Sequence, residues 1–205
     1  GLGQRFADAG YKLTKPLLPV STKPMYVQAV ECLPKTERQV FVLREDMSGF
    51  LETKLSIEEN YSAASVASVV SVTDGQASSA LVGLDFLERN AAVEGPVTFG
   101  ACDFAAVYNP QELQRLINDP EVDVIVWSIR GYPNALRAPN SYGWLDTDGL
   151  RIKSVSVKKP LANLDADPII LGTFTFKRTK DFRNSFEQLK NKNATINNEF
   201  FIDSC

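Results

Sequence analysis

The sequence predicts an α/β domain with a mixed, mostly parallel sheet flanked by helices. Three observations predict it: short β-branched apolar runs, helical patterns lying between them, and capping or turn residues at the joins. The runs are residues 39–43, 67–72, 96–100, 122–127 and 169–176, each of strand length and apolar enough to be largely buried. Between them Ala77, Ala80, Leu81, Leu84 and Leu87 recur at helical spacing, with Asp74 placed to cap that helix. Asn109-Pro110 opens a second helix carrying Leu113, Leu116 and Ile117, because proline suits the first turn and asparagine the cap. Phe182, Phe186 and Leu189 mark a third amphipathic helix, and a loop containing Pro and Asn runs over residues 134–140 into Tyr142-Gly-Trp144. Trp127, Trp144 and the stretch Phe174–Phe176 are expected in the core rather than as stacking platforms.

The 205 residues, 44% hydrophobic, suffice for one domain over 1–205, with no internal repeat and no low-complexity tract. A net charge of -3 gives no global pull toward nucleic acid or anionic membrane, so any phosphate site must come from a local cluster. Cys32, Cys102 and Cys205 are an odd, widely spaced set that suits a reducing compartment, and a cytoplasmic location is expected. No apolar run reaches membrane-span length and no signal-peptide pattern is present. Histidine is absent, which excludes His-based triads, His-ligated metals and imidazole acid/base chemistry. Cys102 has no activating base in view and is expected to be a buried, inert thiol.

The opening segment carries the most chemistry. Gly1-Leu-Gly-Gln-Arg-Phe6 begins like a dinucleotide fingerprint, but Phe6 occupies the third glycine position and no acidic ribose ligand follows at the usual spacing. Arg5, Lys12, Lys15-Pro-Leu17 and Lys23-Pro24 make the segment basic and proline-set. A glycine turn lets backbone N–H groups approach a triphosphate, and Arg and Lys neutralise it and polarise the departing pyrophosphate. A solvated basic loop is the plainer alternative. A phosphate turn normally comes after a strand, and residues 202–205 lead into no closing helix, so the chain reads as truncated at both ends.

These residues resemble the sugar-phosphate nucleotidyltransferases, relatives of glucose-1-phosphate thymidylyl- and uridylyltransferases. The resemblance rests on the Gly1–Phe6 run, Gly10-Tyr11, Lys15-Pro-Leu-Leu-Pro-Val20 and Lys23-Pro-Met25, and on later blocks in family order. It implies a Rossmann-like, GT-A-like sheet and a magnesium-dependent reaction. Gly1, Leu2, Gly3, Arg5 and Lys15 would hold the triphosphate. Gly75 and Gln76, in Thr73-Asp-Gly-Gln-Ala77, would read the nucleobase. Asp103 would bind Mg2+, and Tyr142, Gly143, Gly172 and Glu199 would contact the sugar. Val157-Lys-Lys-Pro160 resembles the family's Glu-Lys-Pro, with Lys159 in the lysine's place, on the acceptor phosphate or the α-phosphate, and Lys158 in place of the acid. The family's second metal ligand has no counterpart at its usual place, and Asp203 is the one late carboxylate able to substitute.

The partners so implied are a nucleoside triphosphate and a sugar 1-phosphate or similar phosphomonoester, with a homo-oligomer left open. A non-catalytic nucleotide or nucleotide-sugar binding module of the same fold is the alternative. A glycosyltransferase of related architecture would carry a paired Asp-x-Asp, whereas Asp103 is followed by Phe104 and Ala105.

Overall fold

The structure, a computed structural model, describes residues 3, 6, 8–89 and 92–205. Phe6 and Asp8 are helical, and a 3-10 turn lies further on at Lys15–Leu17, where Pro16 sits in the first turn. An antiparallel pair comes next, β1 (Pro19–Val20) and β2 (Lys23–Pro24), and leads into α1 (Met25–Glu31).

Strands β3 (Val40–Arg44) and β4 (Ser65–Val69) pair in parallel, with Val40 opposite Ser65 and Arg44 opposite Val69, across the helix α2 (Phe50–Asn60). A parallel pair needs such a crossover. Tyr26, Val27, Leu43 and Ile57 form the core of this unit. The helix α3 (Gln76–Glu88) lies on β3, where a Cβ at Gly83 would come within 3.0 Å of Val42 Cγ2. Strand β4 stops before the expected Val72: Val70 is 77% exposed and Val72 is also exposed, so the apolar run outlasts the sheet.

The second half contains β5 (Val97–Phe99), α4 (Pro110–Asn118), β6 (Val124–Ile129), α5 (Pro133–Arg137), β7 (Trp144–Asp148), β8 (Arg151–Ser156), β9 (Ile169–Phe176) and α6 (Thr179–Asn191). Here the expectation of a mostly parallel sheet is corrected. Every pairing in this five-stranded sheet is antiparallel: β9 pairs with β5, β6 and β7, and β7 pairs with β8. The reason is β9. It runs between β5 and β6, so those two strands share a direction without being neighbours. The β7–β8 hairpin then closes through Gly149 (φ 57) and Leu150, a two-residue loop that favours a left-handed glycine.

Strand β9 is buried at all but one position, and with α6 it organises the main core of Val97, Leu145, Ile170, Phe174, Phe176, Phe182 and Phe186. Phe182 meets Phe99 at 4.5 Å and Phe176 at 5.3 Å between ring centroids. Each such side chain contributes about 1.5–3 kcal/mol by leaving water, more than any surface ion pair supplies. Both tryptophans are core, as expected, and each indole N–H is satisfied: Trp127 donates to Thr175 Oγ1 and Trp144 to the Pro139 carbonyl. Asn109 caps α4 by accepting from the N–H groups of Gln111 and Glu112. Among the described residues no helix is long and apolar enough to cross a membrane.

Candidate active site

Gly3 is the one member of the predicted glycine turn within the described residues; Gly1, Leu2 and Arg5 lie outside them. Gly3 takes the left-handed conformation (φ 66), its carbonyl accepts from Phe6 N–H at 3.0 Å, and a Cβ there would sit 3.6 Å from Lys15 Cβ. Phe6, which breaks the dinucleotide pattern, packs edge-on to Tyr11 and lies under the Lys15 ammonium, 5.9 Å from ring centroid to Nζ. An aromatic face attracts a cation, so this replacement steadies Lys15.

Lys15 Nζ donates to Asp103 Oδ2 at 2.6 Å, joining the expected triphosphate cation to the expected metal carboxylate. Their side chains are 27% and 32% exposed, intermediate between surface and core. Asp103 is placed by the turn after β5. Just before it, Gly100 is covered by Leu33, whose Cδ1 lies 2.8 Å from where a Cβ would be.

On the neighbouring strand Gly172 lies within β9 with φ 71, and a Cβ there would meet Ala101 Cβ at 3.6 Å and Phe104 at 3.9 Å. The Gly172 carbonyl accepts from Gln76 Nε2 at 3.2 Å. Gln76 and Gly172 are thus in contact, and residues 101 and 104, which flank Asp103, pack beside them.

Asp74 does not cap α3, which corrects the sequence expectation. The N-cap is Gly75 (φ 112), with no side-chain cap bond. The Asp74 carbonyl instead accepts from Phe200 N–H at 2.7 Å, and Ala77 N–H donates to the Phe200 carbonyl at 3.0 Å. Thr73 Oγ1 donates to the Gly75 carbonyl and shares a hydrogen bond with Ser79 Oγ, which fixes the turn without a carboxylate. The C-terminal segment thus docks on the start of α3. It reverses at Asn197 (φ 53) and Asn198 (φ 62), residues that tolerate the left-handed region, between the bridged Ile196 and Glu199. Glu199 itself is exposed.

A third group surrounds the Tyr142-Gly143 loop. Tyr142 stands edge-on to Tyr132 at 5.9 Å. A Cβ at Gly143 would lie 2.5 Å from Asp203 Oδ2, so glycine is required there. Asp203 Oδ1 is buried and, among the described residues, has no hydrogen-bond partner. Desolvation raises the Asp203 pKa, opposed by a backbone hydrogen bond and by the Lys158 charge. Lys158 adopts φ 55, costly for a residue with a Cβ, and its Nζ donates to the Ser141 carbonyl at 2.5 Å while lying over the Phe201 ring at 5.5 Å. Lys159 is exposed, and its carbonyl accepts from Ser156 Oγ. Sequence reasoning placed the cation at Lys159; it did not foresee that Lys158 would be the one folded against the loop, or the parts played by Ser141 and Phe201. The available signal was the doubled lysine before Pro160.

Cys102 is exposed as a residue, contrary to the expected burial, although desolvation of its thiol pushes the pKa up, and Asp103 adds to the effect while Lys15 opposes it. All three cysteines are free.

Asp103 offers a hard carboxylate oxygen, the donor type Mg2+ prefers, at a position already matched to a cation by Lys15. Among the described residues no group of three or more His, Cys, Asp or Glu gathers. That donor set fits a magnesium ion held by one carboxylate together with substrate phosphates, the usual way in which this ion is bound.

The fold built by this sheet and its helices is shared by solved structures that include sugar-nucleotide pyrophosphorylases and a CTP transferase. The nucleoside-diphosphate-sugar pyrophosphorylase of Vibrio cholerae RC9 matches with a TM-score of 0.72 and 15% identity, over 100% of this chain and 82% of that one. The inositol-1-phosphate CTP transferase of T. maritima matches at 0.65 and 16% identity over 94% of this chain and 71% of that one. A UDP-glucose pyrophosphorylase complexed with UDP-glucose matches at 0.65 and 16% identity over 99% and 81%. No family model and no curated protein matches the sequence.

Proposed function

We propose that the chain is a magnesium-dependent nucleotidyltransferase that moves a nucleoside monophosphate from a nucleoside triphosphate to a sugar 1-phosphate or similar phosphomonoester, releasing pyrophosphate. The observation that carries this reading is the Lys15–Asp103 contact, a triphosphate cation and a metal carboxylate 2.6 Å apart in a nucleotidyltransferase fold. The similar structures act on or bind a nucleoside-diphosphate sugar, inositol 1-phosphate and UDP-glucose, which supports a phosphorylated polyol as acceptor.

The acceptor phosphate is anionic near neutral pH, so the reaction needs no protein nucleophile and suits a chain without histidine. An acceptor oxygen forms the new bond to the α-phosphorus as the bond to the β-phosphate oxygen breaks, and pyrophosphate carries away the electron pair. The chain's work is to position both phosphates and stabilise charge. Gly1, Leu2 and Gly3 supply backbone N–H groups, and Arg5 and Lys15 the cations, to the triphosphate. Gln76, oriented by the Gly172 carbonyl, and Gly75 select the base. Lys159, exposed and free to swing, takes the acceptor or α-phosphate. Tyr142, Gly143, Gly172 and Glu199 line the sugar. Asp103 would hold the magnesium ion, which supplies charge neutralisation to the phosphates. A cytoplasmic location goes with this chemistry.

A second reading, a nucleotide or nucleotide-sugar binding module without turnover, is favoured by one observation: Lys158 places a cation where an acid is expected and ties it to Ser141. A thermal-shift screen of the chain against nucleoside triphosphates, sugar phosphates and nucleotide-sugars with magnesium tests binding, because a ligand of the native state raises Tm. A nucleotide or nucleotide-sugar hit is expected; no shift with any of them would remove both readings.

A further inference from the structure

Lys15 and Asp103 are 88 positions apart in sequence and meet through one carboxylate oxygen. The pair is held from both sides. Lys15 rests on the Phe6 ring and against Gly3, and Asp103 is set by the turn beyond the covered Gly100. It also differs from the other 2.6 Å lysine pair, Lys23–Glu31, whose side chains are 46% and 45% exposed and which only ties a hairpin strand to α1.

We propose that the Lys15–Asp103 ion pair is a latch that couples nucleotide binding to magnesium binding, so that each is weak alone and the two together exchange both partners at once. This rests on the nucleotidyl-transfer reading. A magnesium ion and the Lys15 ammonium compete for the same Oδ2, and a triphosphate and Asp103 compete for the same ammonium. A metal-free triphosphate must break the pair and then faces an uncompensated carboxylate. A metal ion without nucleotide must displace the ammonium and finds, among the described residues, no gathered second set of ligands. With both present, Lys15 would turn to the phosphates and Asp103 would hold the magnesium ion, so that each of the two side chains keeps a partner of opposite charge. Coupling of this kind is reciprocal: whatever factor magnesium adds to triphosphate affinity, triphosphate adds to magnesium affinity.

The latch predicts an inversion that depends on Lys15: in a Lys15→Met background removing Asp103 gives no gain in metal-free affinity, whereas simple relief of carboxylate repulsion persists there. Removing Asp103 frees Lys15, so the metal-free triphosphate binds better while the benefit of magnesium disappears. The experiment is calorimetric titration of the full chain with inorganic tripolyphosphate, which needs no knowledge of the base, once in EDTA and once in magnesium. Asp103→Asn is expected to bind metal-free tripolyphosphate about two- to five-fold tighter than wild type, the worth of a partly exposed ion pair, and to lose the magnesium-dependent gain. Asp103→Ala repeats the test without an amide that still accepts from Lys15, and Lys15→Met weakens binding in both buffers. Equal or weaker binding by both Asp103 variants in EDTA overturns the latch alone, since tripolyphosphate still binds and nucleotidyl transfer stands. Failure of wild type to bind tripolyphosphate in either buffer overturns the latch and the nucleotidyl-transfer reading together.

Discussion

Gly75 lies directly under the backbone of Phe200: a Cβ at position 75 would stand 2.5 Å from the Phe200 carbonyl oxygen and 2.7 Å from its nitrogen. Backbone atoms cannot swing aside as a side chain does. The two hydrogen bonds that run between Asp74, Ala77 and Phe200 depend on this approach, and they fix the segment from Glu199 to Asp203 along the site.

Gly75→Ala therefore costs about 2–3 kcal/mol, the sum of left-handed strain and a backbone clash. Gly95 provides the control, because it has a similar φ of 92 and nothing within 4 Å of a Cβ. Gly95→Ala is expected to cost about 1 kcal/mol. Urea denaturation of the two variants separates conformational strain from steric closeness.

Lys158 and Lys159 are expected to fail differently. Lys158→Ala removes the bond to the Ser141 carbonyl and the contact with Phe201, lowering stability by about 1 kcal/mol and raising acceptor KM. Lys159→Ala leaves Tm unchanged, because the side chain is exposed, and lowers kcat by about 10²-fold through lost charge stabilisation. Thermal melts paired with steady-state kinetics make the comparison.

Asp203 carries a pH signature. Its pKa is raised in the folded state by desolvation, so folding holds the proton more tightly than the unfolded chain does. The stability contributed by this group is complete below the ordinary carboxylate range and is lost as pH rises through the raised folded value. Asp203→Asn removes that loss. Its Tm is expected to exceed that of wild type near pH 7.5, by about 2–4 °C for each kcal/mol recovered, with the gap closing toward pH 4. Melts across that range check the sign.

Much of this was legible in the sequence where local pattern and tertiary context agree. Strand β9 and α6 were readable because Ile169–Phe176 is rich in apolar and β-branched residues and Phe182, Phe186 and Leu189 fall on one helical face. Asn109-Pro110 was readable because capping is a local bond. Strand direction was not, since no residue in β9 records that it will run between β5 and β6. The β7–β8 hairpin went unread, although Asp148-Gly149 is a turn signal flanked by Trp144, Leu145 and Ile152. Helix α2 was also missed: Leu51 and Leu55 are exposed while Thr53 is buried, so its apolar periodicity is blurred. In the site, the family resemblance pointed to Asp103 and Lys15 separately. Their contact, the docking of Phe200 on Gly75 and the inward turn of Lys158 depend on long-range closure and left-handed backbone that periodicity does not encode.

The most direct test of the central claim is pyrophosphate release by the full chain with magnesium, measured for the four common nucleoside triphosphates against a panel of sugar 1-phosphates and other phosphomonoesters. Nucleotidyl transfer predicts release with at least one pair, dependent on the acceptor, and a loss of about 10²-fold or more in Asp103→Ala. Nucleotide binding without pyrophosphate release from any pair, unchanged in Asp103→Ala, would contradict it.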